Sequence, residues 1–253
     1  MNKRGQITIF IIVGILVVIF AVLVFLLYPK IQTGFGFDEK NPAKFLQKCF
    51  EENLKNSVEK ISLQGGSLEP ENFYLYQDNK VEYLCYTSEY YITCTMQQPM
   101  LKSHIEFEIS DGISETGKKC LSDLENNYKN NGYQVELKNR DIIVELLPKK
   151  IITKINSSLI LTKAGEKTVF NSISFAETNN LYELVAIANS ILNMEARYGN
   201  SETTIYMDYY HNLKIEKYKQ TDGTTIYILT DSDTKDKFQF ASKSLVWPPG
   251  YGE

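Results

Sequence analysis

Hydrophobic and polar positions divide this chain at its twenty-ninth residue. Residues 7–28 hold no charge and one glycine, Gly14, whereas apolar and polar positions alternate from Pro29 onward. As a helix the uncharged run reaches about 33 Å, against a bilayer hydrocarbon core of about 30 Å. An apolar surface on every side for that length predicts a transmembrane helix, not a helix of a soluble core. A cleavable signal would end in a small-x-small site, which Tyr28-Pro29-Lys30-Ile31 lacks, so the run is expected to stay as an anchor.

Beyond Gly34-Phe35-Gly36-Phe37, Asn41-Pro42 forms a helix start with proline at the first helical position. Leu46, Phe50, Leu54, Val58 and Ile61 then recur at helical spacing as far as Gln64, where Gly65-Gly66 supplies a left-handed stop. Residues 73–95 read as short, tyrosine-rich strands turning near Asp78-Asn79 and Thr87-Ser88. Pro99 opens a second helix with Leu101, Ile105, Ile109, Ile113, Cys120 and Leu124 in its stripe. Gly112 and Gly117 weaken its middle, where a break is allowed for.

The period becomes strand-like over 133–137, 142–147, 151–161 and 168–175, an expected antiparallel meander punctuated by Lys138-Asn139, Pro148-Lys149 and Ala164-Gly165. Asn180 and Glu183 stand in capping-box spacing before an amphipathic helix that ends at Gly199. Segments 203–209, 213–218, 224–229 and 238–241 predict a second meander, with Asp222-Gly223 as a turn, and Trp247-Pro248-Pro249-Gly250-Tyr251 an extended tail. The organisation expected is a membrane anchor at 1–29, a juxtamembrane linker at 30–40, a helix and hairpin region with all four cysteines at 41–132, and antiparallel strands with one long helix at 133–253. No low-complexity linker separates the last two, which are compatible with one continuous body. The fold class is α+β: an N-terminal transmembrane helix followed by a disulfide-stapled domain with antiparallel sheets.

Charge narrows the partners. Lys3 and Arg4 are the only charges before Pro29, so the remainder carries 25 basic against 31 acidic side chains, a balance of −6. An acidic surface repels phosphate backbones, which excludes nucleic acid as an expected partner. Lys3 and Arg4 favour a cytoplasmic amino terminus, but Lys30, Lys40, Lys44 and Lys48 follow the span, so charge alone leaves orientation open. The cysteines point outward. Cys49, Cys85, Cys94 and Cys120 are an even set behind a membrane anchor, without a CxxC pair, and read as a disulfide framework. Cys85 and Cys94 flank a segment able to close as a hairpin centred near Glu89, with the sulfurs opposite each other on neighbouring strands. That pairing leaves Cys49 and Cys120, each on or beside a helix stripe, to staple helix to helix. Asn156-Ser157-Ser158 is a glycosylation sequon.

Chemistry is sparse. His104 and His211 are the only histidines, and neither belongs to a metal-protease pattern, nor does a nucleophile elbow or phosphate loop occur. Both read as ordinary polar residues, and no catalytic residue, cofactor or metal site is expected. Asp231, Asp233 and Asp236 could face one calcium ion but lack the glycine and glutamate of an EF-hand, which leaves a solvated hairpin turn as their expected role. The 17 tyrosines fit half-buried strand positions or a contact surface.

Lys3-Arg4-Gly5-Gln6-Ile7-Thr8 before the apolar run resembles the archaeal class III prepilin signal, which implies cleavage between Gly5 and Gln6. Phe10 stands where that family carries a glutamate. Leu63-Gln64-Gly65-Gly66, Leu84-Cys85-Tyr86-Thr87, Gln98-Pro99-Met100-Leu101 and Trp247-Pro248-Pro249-Gly250 resemble a group of single-span membrane proteins of small-genome archaea. That resemblance implies membrane placement and brings no activity with it. The sequence thus reads as a single-pass cell-membrane protein with a cytoplasmic amino terminus and its large domain outside, in a non-catalytic binding or structural role. Its expected partners are the lipid bilayer and another envelope protein or further copies of itself. A pilin-like filament subunit and an envelope-located enzyme are the alternatives.

Overall fold

The structure, a computed structural model, describes residues 13–20, 22 and 38–246, the side chain of Arg140 excepted. The chain divides into two units, Met1–Lys40 and Asn41–Glu253. In the first, residues 13–20 and 22 are helical. Every large apolar side chain there is exposed, from 50% at Val22 to 69% at Phe20. Among the described residues no helix is long and apolar enough to cross a membrane. Most of the expected anchor and linker, the expected Gly5-Gln6 cleavage site and the expected extended tail from Trp247 lie outside the described residues.

The second unit is a mixed α+β body of three long helices and two sheets. Helix α1 (Pro42–Leu63) starts at Asn41, whose side chain accepts from Lys44 N at 3.2 Å, and buries Leu46, Phe50, Leu54, Val58 and Ile61. Helix α2 (Leu101–Asn130) follows the expected stripe and is continuous for 30 residues, its two weakening glycines notwithstanding. Ser57 meets Gly112, Phe50 meets Gly117 and Cys49 bonds Cys120, so α1 and α2 run antiparallel in close contact. A Cβ on Gly117 would lie 2.0 Å from Ile142 Cδ1 and 2.9 Å from Phe50 Cζ. Close helix packing, not a kink, is what these glycines serve, and burial of the apolar stripe outweighs their low propensity.

The six-stranded sheet contains β1 (Phe73–Tyr76), β2 (Asn79–Tyr86), β8 (Leu213–Lys219), β9 (Thr224–Asp231) and β10 (Lys237–Lys243) in the order β1-β2-β10-β9-β8, with β3 (Thr95–Met96) also on β2. Its pairings are antiparallel except β10 with β2, a parallel contact that the expectation of purely antiparallel sheets lacked. That contact joins the amino-terminal hairpin to the carboxy-terminal meander. The sheet curls until its edges meet: Tyr76 of β1 stacks on Tyr218 of β8 at 6.0 Å, and Tyr74 donates to Gln220 at 3.3 Å. Under these rings Val81, Tyr83, Ile226 and Ala241 form a second small core. Most of the strand tyrosines therefore close the sheet, although Tyr90 and Tyr91 stay largely exposed.

The second sheet is built on β5 (Lys150–Lys163), with β4 (Gln134–Leu147) along one edge and β6 (Glu166–Phe170) and β7 (Ile173–Thr178) end to end along the other. Lys138-Asn139, expected as a turn, lies instead in a bulge of one long β4, with Asn139 at φ 58°. The expected strand 168–175 divides at Asn171-Ser172. Helix α2 covers part of the free edge of β4, where Ser110 Oγ donates to Ile142 O at 2.6 Å and Glu106 accepts from Leu146 N at 2.7 Å.

Helix α3 (Leu181–Tyr198) ends at Gly199, φ 74°, as expected, but its capping box does not form. Asn180 donates its side-chain amide to Asp231, and Glu183 accepts from Lys149 N. Residues 204–209, expected in a strand, form a one-turn-and-a-half helix, α4 (Thr204–Tyr209). Glu202 accepts the Thr204 N–H and hydroxyl at its start, and Tyr206 OH meets Ser190 of α3 at 2.8 Å. These local capping contacts decide against the strand propensity of Ile205, Tyr206 and Tyr209.

Candidate functional site

All four cysteines are cross-linked, Cys49 to Cys120 across 71 residues and Cys85 to Cys94 across 9. Cys85, Cys94 and Cys120 are buried. β2 and β3 pair antiparallel around the 85–94 loop, as the expected hairpin requires, but Cys85 pairs in register with Met96 and Cys94 precedes the strand, so the two cysteines do not stand directly opposite in the ladder. The loop is instead held by the segment after β10, through Tyr91 N to Leu245 O at 2.6 Å, Leu245 N to Ile92 O at 3.2 Å and Cys94 N to Ser244 Oγ at 3.0 Å.

A groove of about 610 Å³ opens between α1, the β5–β7 edge and the β9–β10 turn. Leu54, Val58 and Ile151 form its apolar floor; Glu51, Lys55 and Glu59 of α1 face Glu177, Lys235, Asp236 and Lys237. Its volume is that of a small-ligand pocket, and its walls mix both signs of charge. The three aspartates explain how the turn is fixed. Asp231 Oδ1 accepts from Asp233 N at 2.9 Å and Thr234 N at 3.1 Å; its Oδ2 accepts from Asn180 and Asn212, each at 2.8 Å. Asp236 accepts from Asn179 Nδ2 at 3.1 Å and Asn180 N at 2.8 Å. Burial raises the Asp231 carboxyl, but these donors outweigh it and hold the group below the ordinary aspartate value. The turn itself, Asp233 included, is exposed as expected, but Asp231 is buried and with Asp236 forms a carboxylate clamp tying the hairpin to the start of α3.

Two buried carboxylates, Glu82 and Glu195, escaped the sequence reading. Glu82 of β2 accepts from Ser67 Oγ, which lies 2.8 Å from His104 Nε2 of α2, while Glu108, one helical turn on, accepts from Leu68 N at 2.7 Å. His104, half-buried and expected only as an ordinary polar residue, thus joins a chain that reaches the buried Ser67 and Glu82, whereas His211 is exposed before β8. Burial pushes the Glu82 carboxyl above its ordinary value, against the hydrogen bond from Ser67 and the nearby His104. A carboxyl raised in the folded state contributes stability that is complete below its unfolded value, near 4.5, and is lost as pH rises through the folded value. Glu82→Gln should therefore melt above the parent at pH 7, with the difference shrinking as pH falls to 4; thermal melts across that range check it.

Glu195 of α3 accepts from Tyr227 OH and from Ser242 Oγ at 3.1 Å, and Ser242 Oγ lies 3.7 Å from Cys94 Sγ. Burial first, then the Glu195 charge, drives the Tyr227 phenol far above its usual value, and burial lowers the neighbouring Lys217. This knot joins α3, β9, β10 and the short disulfide loop. No spacing in the sequence announces either cluster, because each gathers residues from three or more separate segments.

Asn156 is exposed on β5. Among the described residues no group of three or more histidines, cysteines and carboxylates could hold a metal ion. No family model, curated protein or solved structure matches the chain.

Proposed function

We propose that this chain is a membrane-anchored, extracytoplasmic envelope protein whose disulfide-stapled domain serves a non-catalytic binding or structural role. The observation that carries the reading is the use of all four cysteines in two cross-links, which persist in oxidising compartments and are rare in reducing ones. The wholly apolar, exposed helix at 13–20 supports lipid as the medium around the amino terminus, since such a helix needs an apolar environment on every side. The groove beside α1 supports binding: its apolar floor and ion-bearing rim suit a polar partner with some apolar surface. The Glu82–Ser67–His104 chain, with Ser67 in the middle, favours a structural role over catalysis, because Ser67 and Glu82 are buried and line neither this groove nor a smaller one beside Gly112.

The test is the redox state of the native protein. Quenching living cells in acid and blocking free thiols in denaturant, then reducing and labelling, should show all four cysteines protected from the first reagent. Four thiols reactive in the first step would remove the extracytoplasmic assignment.

A further inference from the structure

Asn156 lies at the one place where β5 is loosened on both sides. Toward β4, Asp141 pairs with Asn156 and Lys138 with Ser158, leaving the bulged Asn139 and Arg140 opposite Ser157. Toward the other edge, β6 ends at Phe170, opposite Leu159, and β7 begins at Ile173, opposite Ile155. Residues 156–158 therefore have no ladder partner there. Asn156 points outward with Ile152, Lys154, Ser158 and Ile160, while Ser157 points into the core and is buried. The same outward face carries Ile143, 41% exposed, and Val169, 47% exposed, on the flanking strands. A sequon beside a bulge on one side and the gap between two strands on the other, with its asparagine in solvent amid partly exposed aliphatic side chains, is an acceptor geometry with a use for a hydrophilic cover.

We propose that Asn156 is N-glycosylated and that the glycan shields the outer face of the β4–β5–β6/β7 sheet. The donor class is an oligosaccharide linked through phosphate to a polyprenyl lipid. Asn156 Nδ2 bonds to the anomeric carbon of the first sugar, that carbon's bond to the phosphate oxygen breaks, and the polyprenyl phosphate leaves with the electron pair. The amide proton passes to the transferase. Ser158 supplies the hydroxyl that the sequon requires.

The inference rests on the extracytoplasmic reading, and one digest separates the two. Full-length protein isolated from its native membranes is cut with trypsin without reduction and analysed by mass spectrometry. The expected result is a hexose-type mass addition on peptide 155–163 together with linked Cys49 and Cys120 peptides. Ser158→Ala should abolish the addition and Ser158→Thr should keep it. Linked cysteine peptides with 155–163 wholly unmodified would overturn the glycan and leave the location standing; free thiols with 155–163 unmodified would overturn both.

Discussion

Phe50→Ala is expected to destabilise the domain by about 3–5 kcal/mol, which at this chain length lowers Tm by roughly 10 °C. Phe50 is fully buried on α1, its ring 5.4 Å from that of Phe175 on β7 and against the backbone of α2 at Gly117. It touches both helices' shared interface and the second sheet at once. Truncation leaves a cavity facing Gly117, which has no side chain to fill it. Chemical denaturation of the domain would measure this as a lower midpoint at an unchanged slope. A loss under about 1 kcal/mol would mean that α1 and α2 are not packed as described.

The Cys49→Ala/Cys120→Ala pair should have a comparable effect. Closing a loop of 71 residues restricts the unfolded chain by about 4 kcal/mol in the chain-entropy account, against about 2.5 kcal/mol for the 9-residue loop of Cys85 and Cys94. Removing the long-range bond should therefore lower Tm further than removing the short-range one, as thermal melts of the two double variants would show. The converse order would indicate that the 85–94 loop organises the fold, through Glu195, Ser242 and Ser244, more than the helix staple does. Because Cys49 adjoins Phe50, combining the two changes should not give the sum of their separate effects.

How much of this was legible beforehand depended on the range of the interaction. The starts and stops of α1 and α3 were readable because Asn41-Pro42 and Gly199 act on their own neighbours. Both cysteine pairings followed from their placement on a hairpin-like segment and on two helix stripes. Partner-dependent features were not readable. Nothing local distinguishes Gly117 as a contact from Gly117 as a breaker; the difference lies in Phe50, 67 positions away, and in Ile142. The parallel contact of β10 with β2 joins segments more than 150 residues apart. Asn180 and Glu183 had capping-box spacing, but Asp231 and Lys149 outcompeted the local bonds once the tertiary fold brought them near. Segment 203–209 alternated like a strand, yet the carboxylate of Glu202 and the contact to Ser190 set it as a helix.

The same limit holds for the site. The aspartates of the β9–β10 turn were visible as a cluster, but only their partners Asn179 and Asn180, just before α3, show that they clamp the hairpin and shape one end of the groove. The Glu82 and Glu195 clusters had no sequence signal, since a buried glutamate within an alternating strand or an amphipathic helix reads like any polar position.

A lysine-reactive, membrane-impermeant label applied to intact cells tests the placement of the domain most directly. Lys118 and Lys138, whose side chains are each 65% exposed, lie on α2 and β4 and serve as reporters. Both should be modified in intact cells to the same extent as after lysis. Labelling that appears only once the membrane is broken would contradict the account, because the domain would then lie on the cytoplasmic side.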